Sequence, residues 1–184
     1  ASTIQQTRAA CLTTIQTFTT IGSCNTNNMR ILVTGGAGFI GSNFIRLLGE
    51  LHPESPVTNL DKLTYAGNLN NRRDVCHLPR YQFVKGDICD PTTVATVMKS
   101  GDVVVNFAAE SHVDRSIADG KGFVETNVVG TSVLLECALR AGAKKFIQIG
   151  TDEVYGSLET ASPSSTETDI LKPRSLYAAS KASA

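Results

Sequence analysis

An α/β domain with a doubly wound parallel sheet is the fold class this sequence predicts, and three observations predict it. From Met29 onward, short apolar runs alternate with stretches of helical spacing. Such alternation places helices on both faces of a parallel sheet. The first run ends in glycines and the second in an acidic residue, Asp61. Right-handed crossovers then fix the winding.

Each element follows in order. "RILVTGG" is a short apolar run closed by glycines, as a buried parallel strand should be. "FIGSNFIRLLGELHP" sets Phe39, Ile40, Phe44, Leu47, Leu48 and Leu51 at helical spacing and is stopped by Pro53. "PVTNLD" reads as the second strand and "YQFVKGD" as the third. "PTTVATVMKS" is a helix with Pro91 in its first turn. "DVVVNFAA" is a fourth strand whose valines call for burial on both faces. "GFVETNVVGTSVLLECALRAG" is a long helix closed by Gly142 as C-cap, and "KKFIQIGT" is the fifth strand. The Ser-, Thr- and Pro-rich "GSLETASPSSTETDILKPRS" is a loop before the final helix, "SLYAASKASA".

The 184 residues suit one domain, expected over residues 29–184. Residues 1–28 are Thr- and Gln-rich, lack acidic residues, and are expected to be a poorly ordered leader ahead of a natural start at Met29. Seventeen basic and seventeen acidic side chains balance to zero net charge, which argues against nucleic-acid or membrane-surface partners. No apolar run approaches the roughly 20 residues of a membrane-spanning helix. Five scattered cysteines without a C-x-x-C pair suggest reduced thiols in a cytoplasmic protein, with no disulfide framework and no metal site.

"TGGAGFIGS" joins the first strand to the first helix. Gly36, Gly38 and Gly41 satisfy G-x-G-x-x-G, while Gly35, Gly38 and Gly41 satisfy G-x-x-G-x-x-G. Glycines there allow a tight turn and let a pyrophosphate reach the amides of the helix N-terminus, where Phe39 and Ile40 also lie. Asp61 follows Gly41 by twenty residues, the place for a carboxylate that binds the adenosine ribose hydroxyls. It would repel a 2′-phosphate, which favours NAD over NADP, and the neighbouring Lys62 offsets part of that preference. Asp87 and Ile88 end the third strand, where Asp87 either faces the adenine or caps the helix near Pro91. Phe107, Ala108 and Ala109 end the fourth strand in small residues that leave the cofactor room. The sum is a Rossmann fold that binds NAD.

Ser175 is a good N-cap, and Tyr177 and Lys181 then sit one turn apart on one helix face. A tyrosine of ordinary pKa near ~10 is a poor base at neutral pH. A nearby ammonium would lower that value, and Lys181 could also hold the nicotinamide ribose. Thr151, Asp152 and Glu153 fall where the fifth strand meets its loop, at the sheet edge where ligands of such folds bind. They form either a turn cluster or a pair of carboxylates held in different protonation states. Ser111 and His112, after the fourth strand, are further candidates for touching substrate.

Together "TGGAGFIGSNF", "NLDKLTYAGNLNN", "FAAESHVDRSI", "TNVVGTSVLLE", "GTDEVYG" and "LYAASKAS" resemble the extended short-chain dehydrogenase/reductase family, and within it the dTDP-glucose 4,6-dehydratases. The resemblance runs from Met29 to Ala184 and departs at Gly150, where a serine is usual. It implies a lyase that oxidises C4 of a nucleotide-linked glucose with NAD, eliminates water across C5–C6, and returns the hydride to C6. By the same resemblance Tyr177 removes the C4 hydroxyl proton and Thr151 hydrogen-bonds the oxygen, while Glu153 takes the C5 proton and Asp152 protonates the leaving C6 hydroxyl. It further implies a homodimer and a C-terminal substrate domain missing from this chain, so that these 184 residues alone should turn over no substrate. The competing readings are a UDP-glucose 4-epimerase or UDP-sugar decarboxylase of the same family, or a non-catalytic NAD-binding fragment.

Overall fold

The computed structural model describes residues 29–111, 120–157 and 163–184, and the expected leader lies outside them. Five parallel strands form one sheet: β1 (Ile31–Thr34), β2 (Val57–Asp61), β3 (Tyr81–Lys85), β4 (Val103–Asn106) and β5 (Lys145–Gln148). Their order is β3-β2-β1-β4-β5, so the chain reverses direction across the sheet after β3. Ile31 lies opposite both Val57 and Val103, and Thr34 opposite Leu60 and Asn106. The fold is the doubly wound one expected.

Burial on both faces follows from the two-residue period of a strand. Ile31, Val33, Val57, Val103 and Val105 pack with Phe44, Ile45 and Leu48 of α1 (Phe39–Leu51) on one face. Leu32, Leu60 and Val104 pack on the other with Val94 and Val97 of α2 (Pro91–Val97) and Leu134 and Ala138 of α3 (Gly120–Ala141). Full burial of Phe44, Ile45 and Leu48 contributes roughly 1.5–3 kcal/mol apiece. The helical pattern in α1 is only partly a core stripe. Phe39, Ile40 and Leu51 are exposed, and Ile45 and Gly41 are buried in their place.

Asp90 caps α2 by accepting from the Thr92 N–H, and Pro91 follows it in the first turn. In α3 the stretch Val124–Gly130 winds as a π-helix before regular geometry resumes over Thr131–Ala141. Gly142 ends it in the left-handed region at φ 72°, as expected of a C-cap. The 22-residue α3 contains an 18-residue window of mean hydropathy 1.2 and so meets the length and composition of a membrane span, against the expectation that no run would. The helix instead lays Leu134, Cys137 and Ala138 on the sheet and leaves Glu125, Glu136 and Arg140 outside.

Polar ties hold the two edges of the sheet. At its amino edge the fully buried Asp102 accepts two hydrogen bonds from the Arg30 guanidinium, at 2.7 and 2.9 Å, and one from the Lys99 N–H. At its carboxyl edge the Thr34 hydroxyl donates to Asn106 Oδ1, and Asn106 Nδ2 donates to Gln148 Oε1 at 2.8 Å. That second tie aligns the ends of β1, β4 and β5 beneath the site.

Candidate cofactor and active site

A cavity of about 550 Å³ opens over the carboxyl ends of β1, β2 and β4. Such a volume suits a small-molecule ligand. Its floor is the turn between β1 and α1. Gly35 takes φ 70°, and a Cβ there would meet the backbone N of Ala108 at 2.5 Å, so only glycine lets the first loop press against the end of β4. Gly38, Phe39, Ile40 and Gly41 line the cavity at the α1 N-terminus. That terminus has no side-chain cap and no acidic residue in its first turn, which leaves its positive end to a ligand. Gly36 does not reach the cavity. It faces the core, where a Cβ would strike Asn59 and Ile45, so its role is close packing of helix on strand.

Asp61 is 8% exposed and held from both sides: Oδ2 accepts from the Ala37 N–H and Oδ1 from the Leu63 N–H, each at 2.8 Å. Its carboxylate therefore fixes the glycine turn as well as lining the cavity. The Lys62 ammonium pairs with Asp87 Oδ2 at 2.5 Å, and the Asp87 hydrogen bond raises its pKa above the usual value. Burial pushes the Asp87 carboxyl up, but the hydrogen bonds from Lys62 and the Cys89 N–H outweigh it and leave the pKa lowered. Asp90 takes the helix-capping role that was open to Asp87, and Asp87 lines the cavity beside Ile88. Phe107, Ala108, Ala109 and Ser111 continue the wall from β4. His112 lies outside the described residues. The same wall fits a phosphate-bearing, ribose-bearing ligand: amides at one end, a rigid carboxylate at the other.

Tyr177 and Lys181 close the cavity from α4 (Leu176–Ser183), whose first turn is capped by Ser175 Oγ accepting from the Ala178 N–H at 3.0 Å. The expected lowering of the phenol by the ammonium is not found. Lys181 Nζ donates instead to the Ile149 carbonyl at 2.6 Å, and burial lowers its own pKa. Burial raises the Tyr177 pKa, the Glu153 charge raises it further, a hydrogen bond with the Thr151 side chain opposes this, and the Asp152 charge adds to the rise. The net direction for Tyr177 is upward from the ordinary phenol value.

Thr151, Asp152 and Glu153 stand at the rim and do not line the cavity. Thr151 caps the short 3-10 turn Asp152–Tyr155, its hydroxyl accepting from the Glu153 N–H at 3.3 Å, so the turn-cluster reading holds for its hydroxyl. Both carboxylates are exposed, yet near enough to act on the phenol. Gly150 lines the cavity, and a Cβ there meets nothing within 4 Å, so its departure from serine leaves open space.

Sequence reasoning missed three contributors. Thr64 to Gly67 form a second wall, packed so closely that a Cβ on Gly67 would lie 2.9 Å from Asp61 Oδ1; the lone Gly67 was their signal. Glu110 lines the cavity as a further carboxylate. Asn127, buried in the π segment, grips Glu110 by accepting from its N–H at 2.9 Å and donating to its carbonyl at 3.0 Å. The same amide donates to Ser180 Oγ at 2.8 Å, and Ser180 donates to the Tyr177 carbonyl. The end of β4 and the Tyr–Lys helix are thereby set against each other.

The model of the GDP-mannose 4,6 dehydratase family matches residues 32–184. The chain belongs to that family. Among the chain's relatives, a dTDP-glucose 4,6-dehydratase of Streptomyces griseus is 55% identical over 157 residues, 83% of this chain and 46% of the relative. The low-salt glycan biosynthesis protein Agl12 of Haloferax volcanii is 53% identical over 156 residues, 85% of this chain and 49% of its own length. The crystal structure of DesIV, a dTDP-glucose 4,6-dehydratase of Streptomyces venezuelae with NAD and TYD bound, superposes with a TM-score of 0.79 at 53% identity. It covers 84% of this chain and 49% of DesIV. The chain thus spans about half the length of the dehydratase relatives it matches.

Proposed function

We propose that the protein carrying this chain uses NAD to convert a nucleotide-linked glucose, dTDP-glucose, into its 4-keto-6-deoxy derivative. The observation that carries this reading is the pair Asp152 and Glu153 on one 3-10 turn packed beside the helix of Tyr177 and Lys181. Similarity to the dTDP-glucose 4,6-dehydratases supports the choice of sugar nucleotide. NAD, when bound, accepts a hydride from the sugar and returns it.

This chain's residues supply the remainder. The Gly38–Gly41 turn and Asp61 would hold the pyrophosphate and adenosine ribose, and Lys181 the second ribose. Tyr177 hydrogen-bonds the C4 hydroxyl with help from Thr151. A phenol takes up the C4 proton only once its own proton has left, so Tyr177 would act as the phenolate, a form that positive charge beside it favours. Glu153 removes the proton from C5 while Asp152 protonates the departing C6 hydroxyl, so that one water leaves. Division of labour between two carboxylates requires one charged and one protonated partner. Epimerisation and decarboxylation need no such pair, so Asp152 and Glu153 count against those alternatives.

The test is to incubate a protein carrying this chain over the full length of its relatives with NAD and dTDP-glucose. The base-sensitive absorbance of a 4-keto-6-deoxy sugar is expected. A 4-epimer as sole product overturns the reading. Glu153→Gln should leave C4 oxidation in place and abolish exchange of the C5 proton with solvent.

A further inference from the structure

The cation that follows Asp61 is not free to serve a phosphate. Asp61 is locked by the Ala37 and Leu63 amides, and the turn it builds puts Leu63 at φ 59°, in the left-handed region. Beyond that turn the Lys62 side chain meets Asp87, in the loop that follows the neighbouring strand β3. Asp87 is itself fixed, its other oxygen accepting from the Cys89 N–H at 2.9 Å. All three side chains line the cavity. Lys181, the other ammonium in the described lining, is held by Ile149 under α4. At the Asp61 end, two carboxylates and one ammonium leave one net negative charge.

We infer that Asp87 sets the choice between NAD and NADP indirectly, by holding the Lys62 ammonium away from the ribose 2′ position that Asp61 faces. This rests on the cofactor reading given above. Without Asp87, the ammonium becomes available to pair with a 2′-phosphate, and Asp61 is left with an adjacent mobile cation that softens its repulsion. The selectivity is thus carried by a side chain in the loop after β3, away from the β2 residue that holds the ribose-binding carboxylate. Lys62 is more than half exposed, which permits the swing.

The experiment measures NAD and NADP dissociation constants for the full chain by calorimetry at fixed ionic strength. It compares wild type, Asp87→Asn and the double variant Lys62→Met/Asp87→Asn, with thermal melts to confirm folding. Wild type should prefer NAD. Asp87→Asn should narrow the NAD-over-NADP ratio by roughly fivefold, the upper end for one exposed ion pair. The double variant should restore the ratio to at least its wild-type value, because the cation is gone. Failure of wild type to bind either dinucleotide overturns the cofactor reading and this inference with it. Wild-type binding of NAD with an unchanged ratio in Asp87→Asn, both affinities falling together, overturns the inference alone and makes Asp87 a plain adenine contact. A ratio that stays narrowed in the double variant also overturns it, since Lys62 then plays no part.

Discussion

The two ends of the cavity are built differently. At the Asp61 end the carboxylates and the glycine turn are tied to backbone: Asp61 to two amides, Asp87 to another, Gly35 against Ala108. At the Thr151–Glu153 end two exposed carboxylates ride on a single 3-10 turn after the edge strand β5. One end is part of the fold's stability, and the other is mounted on it. Residues at the first end should therefore be costly to mutate, and those at the second cheap.

Substitutions can break or sharpen that contrast. Gly35→Ala imposes a Cβ clash at 2.5 Å and a positive φ, and should cost about 3 kcal/mol or more in urea denaturation, with dinucleotide binding lost. Asn127→Ala unpairs both backbone groups of Glu110 and a buried hydroxyl, and should cost about 2 kcal/mol by the same measurement. Ser175→Ala removes the cap of α4 and should cost about 1 kcal/mol. Glu153→Gln lies at the small end, within about 0.5 kcal/mol of wild type. Its signature is electrostatic: loss of a nearby negative charge lowers the Tyr177 pKa, which an ultraviolet phenol titration reads as a transition at lower pH. An equal stability loss for Gly35→Ala and Glu153→Gln would erase the distinction between the two ends.

Much of the Asp61 end was legible in the sequence because its causes are local. A glycine-closed apolar run, an acidic residue ending the next strand and a small-residue exit from β4 each follow from neighbours in the chain. Ser175 and Gly142 were legible for the same reason, since caps are decided within one turn. The π segment of α3 was not. Seven residues are too few to separate its period from that of an α-helix, and the bonds that accompany it run from Asn127 to Glu110 and Ser180, 17 and 53 residues away. The Lys181–Ile149 bond spans 32 residues and is equally hidden, which is why the phenol was expected to be acidified and is not. Phe39 and Ile40 matched a core pattern, but their place in the first turn of α1 turns them toward the cavity.

The Asp61 carboxylate has a kinetic consequence. Because it clasps the glycine turn through the Ala37 N–H, the chain's own hydrogen bond should set the cradle before a dinucleotide arrives. Stopped-flow traces should then show one bimolecular phase whose rate climbs linearly with concentration. A chain that had to mould its loop around the ligand would show a plateau instead.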